Sequence, residues 1–71
     1  MFNKNDVVLG KVSCNIRKGC FIETDDGATA FMPNYNFKPD TRVVCSVVKT
    51  SKDKFPLVDL DSVLYDEYLA A

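Results

Sequence analysis

The chain has no histidine and no tryptophan, only three glycines, and three cysteines, an odd number. Without histidine, neither a Ser-His nor a Cys-His nucleophile can be assembled. The usual Cys/His zinc sites are excluded with it. The thiols of Cys14, Cys20 and Cys45 are spread too widely for a metal cage, so they read as small buried apolar residues in a reducing compartment. No run approaches the roughly 18 apolar residues of a membrane span. The opening MFNKNDVV carries no apolar h-region, so it does not read as a signal peptide, and a cytoplasmic location is expected.

What is present is a chain of 71 residues, 46% apolar. That suffices for one small core and leaves little room for a buried catalytic cleft. A single domain over 1–71 is expected. The formal charge of −1 hides an asymmetry. All nine basic residues lie between Lys4 and Lys54 among six acids, a balance of +3, while the last seventeen residues carry four acids and no base. A mildly basic body with an acidic tail differs from a neutral protein.

Along the chain, DVVLGKVSCNI (Asp6–Ile16) places Val8, Val12, Cys14 and Ile16 on one parity and Lys11, Ser13 and Asn15 on the other. Period two over this length predicts a long strand. Gly10 within it points to a bend or a close backbone approach. CFIET predicts a second strand with Cys20, Ile22 and Thr24 facing one way and Phe21 and Glu23 the other. DDG is a hairpin turn, and ATAFM (Ala28–Met32) a third strand. PNYNFKPD reads as a connecting loop with room for one helical turn. TRVVCSVVKT predicts a fourth strand with Val43, Cys45 and Val47 sharing a face, SKDK a polar loop, and FPLVDL a fifth strand whose Pro56 points to an edge or a strand start. DSVLYDEYLAA (Asp61–Ala71) reads as a helix capped by Asp61 or Ser62.

Five short strands with a longer link after the third fit an all-β, five-stranded barrel with a short C-terminal helix, of which the OB fold is the leading candidate. The barrel is expected over about residues 5–60 and the acidic helical tail over 61–71. The stretches NDVVLGKV, NIRKGCFIET and DGATAFMP resemble the S1-type RNA-binding domain, a branch of that fold. Asn5, Asp6, Val8, Gly10 and Val12 match its first strand, Lys18 to Ile22 its second, and Gly27 to Pro33 its third. The resemblance implies binding of single-stranded RNA, with single-stranded DNA as a variant; from the residues themselves no enzyme activity, metal or cofactor is expected. Of the family's contact residues only Phe21 matches by identity. Lys18 and Pro33 stand at the positions of an aromatic and a histidine, and Ser51 and Phe55 near those of an Asp and an Arg. The resemblance also implies that Phe31 is a large apolar plug of the core.

Strand alternation places Phe21 outward, where a ring can stack on a base. Arg17, Lys18 and Lys11 lie in or beside the first hairpin and can meet phosphates. Tyr35, with Phe37, Lys38 and Arg42, either extends this groove or covers the barrel bottom. Lys49, Lys52 and Lys54 flank the last loop, which faces the same groove in OB proteins. The pairs Asp25/Asp26 and Asp59/Asp61 suit a turn and a helix start rather than an acid/base dyad. The alternative function is a protein-interaction module whose groove or C-terminal helix docks a partner.

Overall fold

The computed structural model describes residues 2–50 and 55–64. Five strands are present: β1 (Val7–Ile16), β2 (Gly19–Thr24), β3 (Thr29–Pro33), β4 (Arg42–Lys49) and β5 (Leu57–Leu64). They form a closed barrel in the order β1-β2-β3-β5-β4. Every pairing is antiparallel except β3 with β5, which is parallel and rests on one register pair, Phe31 with Leu57. The all-β class holds, and a five-stranded closed barrel is consistent with an OB-like fold. Closure suits a chain this small, because it leaves few strand edges exposed.

The core follows from alternation in three strands. Cys20 and Ile22 of β2, Ala30 and Met32 of β3, and Val43, Cys45 and Val47 of β4 are all at most 1% exposed, and Val12 and Val58 join them. Each fully buried aliphatic side chain contributes about 1.5–3 kcal/mol of transfer free energy. Gly10 is where β1 crosses closely over β2. A Cβ there would lie 2.6 Å from the Glu23 carbonyl oxygen and 2.7 Å from Ile22 Cγ2.

Three sequence expectations are corrected. First, the parity of β1 does not run through to Ile16. Val12 pairs with Ile22, but Cys14 pairs with Phe21, so Ser13 is an extra residue at a β-bulge. One inserted residue reverses the facing of everything after it. Cys14 and Ile16, expected inside, are therefore exposed, and only Cys20 and Cys45 are buried thiols.

Second, Asp61–Leu64 are not the start of a helix but the end of β5. Val63 pairs with Val43, Ser62 with Val44 and Leu64 with Arg42, after a register shift near Asp61. The Ser46 hydroxyl donates to Asp61 Oδ2 at 2.6 Å. Continued pairing with β4 as far as Leu64 outweighs the local capping signal. The rest of the expected helix, residues 65–71, lies outside the described residues.

Third, the link after β3 holds no helical turn. Asn34 and Asp40 instead take left-handed φ values of 74° and 72°, which short polar side chains tolerate. Two asparagines tie the link to the first hairpin. Asn15 Nδ2 donates to the Phe37 carbonyl at 2.7 Å, and Asn36 Nδ2 to the Gly19 carbonyl at 2.8 Å.

Candidate nucleic-acid interface

The strand registers align one transverse row on the outer surface: Cys14, Phe21, Phe31, Leu57 and Lys49, on β1, β2, β3, β5 and β4 in turn. At about 4.8 Å per strand the row covers roughly 19 Å of curved surface. Phe21 faces outward because its neighbours Cys20 and Ile22 are both buried. Phe31 faces outward with it. This corrects the expectation of a core plug: Ala30 and Met32 fill the interior positions of β3, and alternation leaves Phe31 the outside.

Phe55 completes a cluster of rings. The Phe21 and Phe31 centroids are 5.2 Å apart with planes tilted by 57°, and Phe55 meets Phe21 edge-on at 5.5 Å and 78°. Such pairs contribute about 0.5–1.5 kcal/mol each beyond their burial. Phe55 remains 52% exposed. The Phe31 amide donates to the Pro56 carbonyl at 2.9 Å, which fixes the segment carrying Phe55 against β3. The Phe31 ring also reaches over Gly19, where a Cβ would stand 2.9 Å from its Cζ.

The rows on either side differ sharply in charge. Toward the β1–β2 turn lie Ile16, Gly19 and Pro33, and beyond them the exposed turn residues Arg17 and Lys18. Neither has an ion-pair partner among the described residues. The Asn34 amide donates to the Lys18 carbonyl at 2.9 Å, pinning the link to this tip. Tyr35, 38% exposed, stacks on Phe37 at 5.9 Å with planes 8° apart. Tyr35 is thus placed at the tip end of the face.

Toward the opposite end, Lys11 pairs with Glu23 and Glu23 with Thr29. Lys11 Nζ lies 3.9 Å from Glu23 and 4.0 Å from Asp40, and Arg42 lies 3.4 Å from Asp25. Exposed pairs like these add little stability, and Lys38, whose carbonyl accepts from the Thr41 amide beside Asp40, has no ion-pair partner among the described residues. Asp26 follows in the turn. A hydrogen bond from the Thr24 hydroxyl holds its carboxyl below the ordinary range. Four carboxylates against Lys11, Arg42 and Lys38 give this end a small net negative balance.

Of the residues singled out from sequence, Phe21, Arg17, Lys18 and Tyr35 lie on or beside one end of the aromatic face. Lys49 closes the far end of the row, next to Leu57. Lys11 sits on the acidic side, engaged by two carboxylates. Lys52 and Lys54 lie outside the described residues. The outward roles of Phe31 and Phe55 escaped the sequence reading, although the burial parity of TAFM carried a signal for the first. No family model matches the chain, and no curated protein or solved structure matches it significantly.

Proposed function

We propose that the chain is a non-enzymatic S1-like OB module that binds single-stranded RNA weakly and with little sequence preference. One observation carries the reading: three phenylalanine rings, Phe21, Phe31 and Phe55, cluster on the outer surface near the β1–β2 turn, where the exposed Arg17 and Lys18 have no ion-pair partner among the described residues. Each base stacked on such a platform is worth about 1–3 kcal/mol. Arg17 offers phosphate a planar fork and Lys18 a point charge. Stacking does not read the sugar, so single-stranded DNA binds by the same face. The S1-like assignment rests on the sequence resemblance and agrees with the strand order.

The test is an NMR titration with a short unstructured RNA at low salt, alongside DNA of the same length. Shifts clustered on Arg17–Glu23, Phe31 and Phe55, weakening as salt rises, are expected. Absence of any shift at millimolar RNA sinks the reading. A second reading, a protein-interaction module, draws on a separate observation. Val7, Leu9, Val48 and Leu64, on β1, β4 and β5 and away from the rings, are 40–65% exposed. Exposed apolar surface of this kind favours a protein partner, and shifts on these residues with a protein but none with RNA would select it.

A further inference from the structure

We infer that the peptide between Asp26 and Gly27 is a site of spontaneous modification, where the main chain rearranges through a cyclic imide to a β-aspartyl linkage, and that Thr24 holds the site closed while the barrel is folded. The inference goes beyond the RNA reading and does not rest on it.

In this reaction the Gly27 nitrogen forms a bond to the side-chain carboxyl carbon of Asp26. The carboxyl loses a hydroxyl, the nitrogen loses its proton, and one water leaves. A second water then opens the imide at either carbonyl. Opening at the main-chain carbonyl leaves the chain running through the Asp26 side chain, with no change in mass. A side chain on the following residue hinders ring closure, and every other aspartate and asparagine is followed by a residue that has one. Gly27 has none, takes a φ of 90°, and has no atom within 4 Å of where a Cβ would stand. Asp26 and Gly27 are both exposed, so water reaches them.

Thr24 restrains both reacting groups. Its hydroxyl donates to Asp26 Oδ1, and its carbonyl accepts from the Gly27 amide at 2.9 Å. The first bond favours the ionised carboxyl, with the main-chain amides of Asp26 and Ala28 adding to it, and an ionised carboxyl has no hydroxyl to lose. The second engages the proton that the attacking nitrogen must give up. Thr24 is itself fixed. It is 4% exposed, its hydroxyl accepts from the Ala28 amide at 3.0 Å, and its amide donates to the Ala28 carbonyl at 2.8 Å. Cyclisation therefore waits for the turn to open.

The product bears on the outer face. A β-linkage adds one carbon to the main chain between Thr24 and Ala28, inside the turn that joins β2 to β3. The bonds that close this turn lose their spacing, and the register they close sets Phe21 opposite Phe31.

The experiment is prolonged incubation of the full chain at neutral pH and physiological temperature. Peptide mapping with electron-transfer fragmentation distinguishes β-aspartyl from ordinary aspartyl linkages. Four samples are compared: the folded parent, the parent unfolded in urea, Thr24→Ser and Thr24→Val, with circular dichroism reporting which variants fold. Thr24→Ser keeps the hydroxyl and is expected to keep the parent rate. Thr24→Val is expected to isomerise about 2–13-fold faster, the equivalent of one hydrogen bond. The unfolded parent, freed of both restraints, is expected to be fastest. Folded Thr24→Val isomerising no faster than Thr24→Ser overturns the role of Thr24. Should Thr24→Val fail to fold, equal rates in the folded and unfolded parent overturn it instead. An unfolded parent that forms no β-aspartyl linkage at Asp26 overturns the site.

Discussion

Gly19→Ala tests the geometry beneath the aromatic face. Gly19 pairs with Pro33 where β2 and β3 begin and end, and it is buried. A Cβ at this position would lie 2.2 Å from the Met32 carbonyl oxygen, 2.8 Å from Pro33 Cα and 2.9 Å from Phe31 Cζ. The Phe31 ring could swing aside, but the other two atoms are backbone of the paired strand. Relief requires β3 to move, and overpacking of this kind costs about 1–3 kcal/mol. A domain this small has only about 3–5 kcal/mol of net stability to lose. At about 4–8 °C per kcal/mol, the midpoint falls by roughly 10–20 °C for a cost in the upper half of that range. Thermal unfolding followed by far-UV circular dichroism measures this. Lys38→Ala, at an exposed link residue, serves as the control and is expected to stay within about 4 °C of the parent. If Gly19→Ala melts with the control, β2 and β3 are not apposed at Gly19 and the row built on their register is wrong.

Phe21→Ala removes both ring contacts but no core side chain. It is expected to leave a folded barrel while weakening RNA binding by about 5–150-fold, the equivalent of one stacked base. Unchanged binding would dismiss stacking, and a chain unfolded at room temperature would place Phe21 in the core. Thiol labelling of the native protein is expected to modify Cys14 alone, because Cys20 and Cys45 are buried; peptide mapping that finds either of them labelled as fast as Cys14 contradicts the bulge in β1. Burial, helped by the nearby Asp61 charge and Cys20, pushes the Cys45 thiol up to about 11. The folded state then holds its proton where the unfolded chain has released it, so stability is full below about pH 9 and falls as pH rises toward 11. Melting points across that window are expected to decline, and Cys45→Ala to flatten the decline; an equal slope in both proteins refutes the assignment to Cys45.

Much of this barrel was legible because β2 and β4 alternate cleanly. In CFIET the parity of Cys20, Ile22 and Thr24, and in RVVCSVVK that of Val43, Cys45 and Val47, carries no charged residue, and the structure buries that parity. The β1 bulge was illegible for a physical reason. SCNI continues the alternation of VVLGKV, and an extra residue is detectable only from the partner strand that skips it. The S1 resemblance puts Phe31 inside, against a local pattern in which Ala30 and Met32 share the inner parity. DSVL offers a capping acid and serine, and only the extended β4 opposite it tips the balance to strand. Phe55 joins Phe21 through barrel closure, a contact between residues 34 positions apart that no local pattern encodes.

Barrel closure itself depends on the thinnest of the five pairings. β3 and β5 meet at a single parallel register pair, Phe31 with Leu57, supported by the amide of Phe31 on the carbonyl of Pro56. The ring cluster sits astride that same junction, with Phe31 on one strand and Phe55 leading into the other. Whatever lies across these rings therefore works as a clasp on the barrel. Its grip would register as slower amide exchange at Phe31 and Leu57, and so would report occupancy of the outer face from within the wall of the fold.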